Sequence, residues 1–462
     1  MRTISFANKM GYATINDNER KRYGVTTVLC WRSFDLPERK GDAYDYYIAG
    51  NEDTDLFEKI FLVDDIVEEI CKPDKYFLIG EKGSGKTAYS VYMSKSDKIN
   101  SFCSISLVEN TLYQRFLNMK RQKALELSSF KDVWINLIYL ILAEKIRKEY
   151  GETFFSSMKY KQLSKAIDVF YSDAFKPEFV NAFEFVDNAS ASINSMMKQG
   201  LFSTGTKASA ETSQKYVEQS FQISLMKIRD GFEKAFMSVN LKKPTILFVD
   251  GIDARPRDID NEQYFECLVG LVNAVLEMNQ SFLKEKQIKI MLLIRPDIMY
   301  KMPVHNMNQK LRNNSVLLNW VTSYRKYIDS KLFKIADDYF MKQQDHSYEL
   351  GECWNYYFPY KVEYQEKWKA PDNPFVEFLR YSLYKPRDIL TMLNEMVDAT
   401  NGVQFKHSDF EGILSNYSTY LKGELKDYML IYMDDSDYNN FSIFFDYFQG
   451  HRNFNYKFFE EK

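Results

Sequence analysis

Residues 80–87 read Gly-Glu-Lys-Gly-Ser-Gly-Lys-Thr, the pattern G-x-x-x-x-G-K-[ST], and follow directly on the apolar run Tyr76, Phe77, Leu78, Ile79. No other feature constrains the fold as strongly, because the pattern requires a strand before it and a helix after it. Lys86 through Met93 holds no helix breaker, so the helix is expected to begin inside the motif. Glycines at these positions let backbone N–H groups close around phosphates. The lysine reaches β and γ oxygens, the threonine hydroxyl ligates Mg²⁺, and the positive end of the helix attracts the anion. The residues expected to cradle ATP and Mg²⁺ are therefore Gly80, Glu81, Lys82, Gly83, Ser84, Gly85, Lys86, Thr87 and Ala88. Lys86 is the catalytic cation, read as an exposed loop lysine that adds little to packing, and Thr87 is a metal ligand.

The chain has 462 residues, 45% hydrophobic and 27% charged, enough for two or three units around separate cores. Its net charge of −3 gives no whole-molecule footprint for nucleic acid or an anionic membrane, although a local basic groove stays open. Cys30, Cys71, Cys103, Cys267 and Cys353 form no C-x-x-C pair, which argues against a zinc site or a disulfide framework and suits a reducing cytoplasm. The first residues lack the apolar core of a secretory signal. The longest apolar stretch, Val133 to Ala143, contains Asn136 and is far shorter than the roughly twenty residues of a spanning helix, so a buried helix and no membrane span are expected. The many tyrosines and phenylalanines are read as core and interface packing.

Strand signals recur after the first at Phe102–Leu107, Thr245–Val249, Ile288–Ile294 and Val316–Trp320. Helical patterns lie between most of them. The expected fold is α/β: a P-loop NTPase core with a parallel sheet flanked by helices, a large helical insertion and a C-terminal helical lid. Its expected divisions are an N-terminal extension (1–55), the core (56–320) with the insertion at about 108–240, the lid (321–425) and a C-terminal element (426–462). Leu56, Ile60, Phe61, Val63, Ile66 and Ile70 predict one helix leading into the core. Asp187 to Glu218, rich in Ser, Ala, Thr and Gly, reads as an irregular loop, either a tolerated insertion or a contact surface. Helical patterns resume at Tyr324, Ile328, Leu332 and Ile335 and again over Phe375 to Met396. The last stretch reads either as a docking element or as part of a winged helix.

Phosphoryl transfer needs a carboxylate at the end of a neighbouring buried strand to hold Mg²⁺, and Asp250 closes Ile246-Leu247-Phe248-Val249. An acid that polarises water usually follows at once, but here Gly251 follows. Asp253 is the nearest replacement, with a turn cap as its competing role. Arg295, at the tip of Ile288–Ile294 and before Pro296-Asp297, is a candidate γ-phosphate sensor, with an ion pair to Asp297 as the alternative. Lys385-Pro386-Arg387 places Pro at a helix start and Arg387 just inside it, where it could reach the nucleotide. Arg255 and Arg257 could act in trans if the protein assembles.

This order, GEKGSGKT, a long insertion, ILFVDGID, LLIRPD and KPRDIL, resembles the KAP and STAND branch of AAA+-related P-loop ATPases over about residues 56 to 425. It is especially similar to a bacterial group with an Asp-Gly-Ile/Leu-Asp Walker B segment and an Arg-Pro-Asp sensor segment. The resemblance implies sensor roles for Arg295 and Arg387 and, by analogy, a switch in defence against phage. The KAP pattern has two adjacent acids where this chain has Asp250-Gly251, which implies slow turnover. The expectation is an ATP-binding and ATP-hydrolysing switch that forms a homo-oligomer or controls an effector protein from the same operon. The alternatives are a nucleotide-bound scaffold that recruits an effector nuclease, and a nucleic-acid-directed ATPase. Adenine is expected over guanine, since no Asn-Lys-x-Asp segment follows the loop.

Overall fold

The apolar runs pair into one sheet in the computed structural model, which describes residues 43–48, 57, 61–108, 130–155, 160–173, 225–253, 261–302, 307–342, 344, 347–362, 372–400, 404–430, 432–433, 435–447 and 455–460. The strands are β1 (Phe77–Ile79), β2 (Phe102–Leu107), β3 (Thr245–Asp250), β4 (Ile288–Ile294) and β5 (Ser315–Leu317). All five are parallel, in the order β2-β3-β4-β1-β5, and helices flank them. β3 and β4 are buried along their whole length, as expected of strands covered on both faces, which explains their mostly apolar character; the Lys289 ammonium inside β4 donates to the Lys72 carbonyl at 2.8 Å. Phe102 to Leu107 lie opposite Thr245 to Asp250, and Thr245 to Val249 opposite Ile288 to Leu292. Leu292 N–H donates to the Tyr76 carbonyl at 2.8 Å, and Leu318 N–H to the Ile79 carbonyl at 2.8 Å.

Three expected elements differ. The pattern from Leu56 to Ile70 is not one helix: residues 61–64 are non-helical and a helix begins at Asp65. Asp64 causes the restart, because its Oδ1 accepts the Ile66 N–H at 3.1 Å, as an N-cap does. The pattern over Phe375 to Met396 forms two helices, Phe375–Tyr381 and Pro386–Ala399, since Pro386 lacks the N–H that continuation would need. The run Val316–Trp320 is a strand only as far as Leu317. The loop Asp187 to Glu218, Arg255, Arg257 and residues 1–42 lie outside the described residues.

By compactness the chain divides into two units, one of residues 1–71, 79–99 and 316–420, the other of 72–78, 100–315 and 421–462. The first unit has an aromatic core in which Trp354 stacks on Phe358 at 4.1 Å and meets Phe333, Phe340, Phe375 and Phe378 edge-on. In the second unit the helices Phe130–Phe155 and Asn261–Gln280 run in close contact. Gly270 permits this approach, because a Cβ there would stand 2.6 Å from Phe130 Cβ, and Trp134 Nε1 donates to the Cys267 carbonyl at 3.0 Å. Val133 to Ala143 lies buried in this packing, with the Asn136 amide nitrogen donating to the Asp132 carbonyl at 2.9 Å. No helix among the described residues is long and apolar enough to cross a membrane.

Candidate functional site

The motif residues and Arg387 belong to the first unit; Asp250, Asp253 and Arg295 belong to the second. In the first unit, β1 delivers the chain into a loop whose shape depends on two glycines, Gly83 at φ 81° and Gly85 at φ 94°. Residues with a Cβ resist this left-handed conformation. Ser84 N–H donates to the Glu81 carbonyl at 3.1 Å, which closes the turn, and the helix Lys86–Lys95 starts immediately after Gly85. The first turn of that helix leaves backbone N–H groups without helical partners, the arrangement that binds anions. A Cβ at Gly80 would sit 2.3 Å from Ser84 Oγ, so the loop entrance is also closed to larger residues.

Lys86 is not the exposed loop lysine expected. It is 7% exposed, and its Nζ donates to the carbonyls of Gly80 at 2.8 Å and Glu81 at 3.3 Å. The loop curls over its own lysine and so holds a cation within its backbone. Ser84 is 1% exposed and its Oγ has no hydrogen-bond partner. A buried hydroxyl without a partner costs about 1–3 kcal/mol, which an incoming acceptor would relieve. Glu81, Lys82, Thr87 and Ala88 are half-buried. A positive-φ cradle, a held ammonium and an orphaned hydroxyl together fit a phosphate chain.

Two residues distant in sequence, Trp320 and Arg387, hold this loop. Trp320 Nε1 donates to the Ser84 carbonyl at 3.0 Å, and Arg387 N–H donates to the Gly83 carbonyl at 3.3 Å. The stem of Arg387 lies along Gly83, such that a Cβ on the glycine would meet Arg387 Cβ at 3.2 Å and Cδ at 3.5 Å. Pro386 occupies the first turn of its helix, and buried Asp388 accepts the Leu383 N–H at 2.8 Å, so the turn that aims Arg387 is fixed on both sides. The expected proximity of Arg387 to the motif is thus present, made by backbone as well as side chain. Trp320 was missed by sequence reasoning; an indole donor at the exit of a strand was the available signal. Behind the loop, Tyr89 donates to Asp64 Oδ1 at 2.9 Å, and Lys331 pairs with Asp64 at 2.8 Å. Burial and the Asp64 carboxylate push the Tyr89 hydroxyl far above its ordinary range.

In the second unit Asp250 ends β3 nearly buried, and its Oδ1 accepts the Gly251 N–H at 2.8 Å. Gly251 has φ 83°, and a Cβ there would lie 3.0 Å from the Val108 carbonyl oxygen. A side chain at the position after Asp250 is therefore strained by its positive φ and crowded by the neighbouring strand end. Asp253 lies in the following turn, close enough for its charge to act on Arg295 and on Tyr264, whose hydroxyl donates to the Ile252 carbonyl at 2.6 Å. Arg295 is 1% exposed, and its Nε and Nη2 donate to the two oxygens of Asp297 at 3.0 and 2.6 Å. The ion pair weighed against a sensor role is the arrangement present. Burial pushes the Asp297 carboxyl up, but hydrogen bonds from Arg295 and Tyr432 outweigh this and hold it below the usual carboxylate range. The ring of Tyr428 covers the guanidinium at 4.1 Å. Neither tyrosine was singled out from sequence; their spacing of four at a helix end was the only cue.

Among the described residues no group of three or more His, Cys, Asp or Glu could hold a metal on its own. No family model, curated protein or solved structure matches the chain.

Proposed function

We propose that this chain is an ATP-binding, ATP-hydrolysing switch protein built on a P-loop NTPase core. The observation that carries the reading is the loop 80–85, in which Gly83 and Gly85 hold left-handed backbone and the Lys86 ammonium is drawn into the loop carbonyls ahead of an open helix start. Backbone N–H groups of the loop bind the β-phosphate, Lys86 exchanges its carbonyl partners for phosphate oxygens, and Ser84 Oγ gains an acceptor. Thr87 is the residue of the first unit that would hold Mg²⁺ and Asp250 the candidate carboxylate of the second; when bound, the metal would offset charge that builds on the phosphates. In the first unit Arg387 is the cation beside the loop that would meet the γ-phosphate; in the second, Asp253 and Arg295 are the groups this reading assigns to water activation and phosphate sensing. Because the Arg387 N–H is bonded to Gly83, a phosphate entering the loop bears directly on the lid helix Pro386–Ala399. This supports a switch whose lid responds to nucleotide, with a homo-oligomer or a separate effector protein as the readout. A role in antiphage defence rests on family resemblance alone.

A second reading, a nucleotide-bound scaffold with little hydrolysis that recruits an effector nuclease, is favoured by Gly251, where a side chain is strained and crowded. Both readings share the binding site and part at turnover. Titration calorimetry with ATP and Mg²⁺, followed by phosphate release with Lys86→Ala as the control, separates them. Binding with lysine-dependent release supports the switch, binding without release the scaffold, and no binding overturns both.

A further inference from the structure

We propose that Tyr428 and Tyr432 form a latch that keeps Arg295 on Asp297 and holds the protein in a low-turnover resting state. This rests on the reading of Arg295 as a phosphate-binding arginine. Arg295 closes β4, and Pro296 fixes the chain direction after it, so the backbone cannot carry the guanidinium elsewhere. At 1% exposure, the guanidinium meets no phosphate until something covering it moves. One cover is local: Asp297, two residues on, takes both Nε and Nη2. The others come from the far end of the chain. Tyr428, in the last turn of helix His407–Met429, lies over the guanidinium with its ring centre 4.1 Å from Cζ. The Tyr432 hydroxyl donates to Asp297 Oδ2, the oxygen that also takes Arg295 Nη2, and Lys301 Nζ sits 3.6 Å from the Tyr432 ring centre.

The arrangement has the form of a switch. Arginine binds carboxylate and phosphate with the same fork of donors, so Asp297 occupies the place a phosphate would take. The contacts that stabilise the carboxylate-bound state include one stacked cation, side-chain hydrogen bonds from Tyr432 and Tyr428 to Asp297 and one further cation on a ring, each individually modest and separable from the core. Neither tyrosine belongs to the loop 80–87, so substituting them leaves every residue of that loop unchanged.

The test uses the full chain with Tyr432→Phe, Tyr428→Ala and the double variant. Tyr432→Phe keeps the ring against Lys301 and removes only the hydroxyl, so it remains informative if Tyr428→Ala fails to fold. Two readouts are taken: kcat for ATP, and amide hydrogen exchange over residues 425–433 with and without a non-hydrolysable ATP analogue and Mg²⁺. The latch predicts a kcat raised about three- to tenfold in the variants, with KM little changed, and exchange over 425–433 that accelerates when the analogue binds the parent. Parental or lower kcat in Tyr432→Phe and in every folded variant, with exchange indifferent to the analogue, overturns it. If the parent binds ATP but does not turn it over, the exchange measurement alone decides: acceleration supports the latch and no change overturns it. Loss of analogue binding in Lys86→Ala, with binding intact in the parent, shows the nucleotide site is sound even where the latch fails. Absence of binding in the parent overturns the nucleotide reading and the latch together.

Discussion

Replacing Gly251 with glutamate supplies the acid that usually follows a Walker B aspartate, yet the local geometry predicts a less stable protein with no gain in rate. Gly251 sits at φ 83°, where a residue with a Cβ pays about 1–2 kcal/mol. The new Cβ would stand 3.0 Å from the Val108 carbonyl oxygen and 3.3 Å from both Val108 N and Leu107 Cδ2. That strand end cannot simply retreat, because Val108 N–H donates to the Asp250 carbonyl at 2.8 Å. Overpacking against backbone adds about 1–2 kcal/mol, so the total is about 2–4 kcal/mol. For a unit of this size that lowers the melting temperature by roughly 5–15 °C. Thermal unfolding followed by near-UV circular dichroism reads the effect, with two controls. Gly251→Ala should lose nearly as much, since the Cβ alone causes the strain, and Gly251→Asn less of the backbone share, because asparagine tolerates positive φ. Variants that melt within a degree or two of the parent, or a glutamate variant whose ATP turnover rises about tenfold, would refute the reasoning.

Lys86→Ala removes hydrogen bonds to Gly80 and Glu81 worth about 1 kcal/mol net, so the fold should persist while ATP affinity in calorimetry drops about 10- to 100-fold; unchanged affinity contradicts the site. Asp253→Asn should cut phosphate release by about 100-fold or more and leave ATP affinity within about threefold, whereas parental turnover would make Asp253 a turn residue only. Because the folded Asp297 carboxyl lies below its usual range, its contribution to stability is complete above the unfolded value of about pH 4 and is lost as pH falls through the folded value. Asp297→Asn should therefore lose about 3 kcal/mol at pH 7 and flatten the decline that sets in below about pH 5 in denaturant titrations, and an equally steep decline would remove Asp297 as its source. Gly83→Ala meets a positive φ and the Arg387 stem together, so ATP affinity should fall about tenfold or more, and an Arg387→Ala background should restore only the steric share.

What the sequence disclosed follows from how each constraint is written. β1, β3 and β4 were legible because a buried parallel strand is predominantly apolar, β2 because its apolar and small residues alternate, and the glycine-rich loop because its conformation tolerates few other residues. The placement of Pro386 at a helix start was legible for the same local reason. The break at residues 61–64 was not, because the apolar period of the segment continues through it while a single capping bond from Asp64 decides where the helix starts. Lys86 was misread because its burial is made by carbonyls of its own loop, which carry no side-chain signature. Trp320 reaches Ser84 across 236 positions, and Tyr432 reaches Asp297 across 135, separations at which one sequence holds no pairing information.

Gly251 and Arg295 restrain the proposed chemistry by different means. The glycine is held by its positive φ and by the Val108 backbone, a strain on any side chain beside Asp250 that is built into the strand ends and not into a removable contact. Arg295 is held by an ion pair and two aromatic side chains, contacts worth a few kcal/mol together. Micromolar nucleotide binding corresponds to about 8 kcal/mol, enough to offset contacts of that size and nowhere near enough to remodel a parallel sheet. Under the proposed function, Gly251 therefore sets the ceiling on turnover, and Arg295 is the point at which turnover can be varied. The same comparison fixes where a faster enzyme should be sought: in variants that free the arginine, since those that add an acid after Asp250 lose stability to a strained and crowded Cβ.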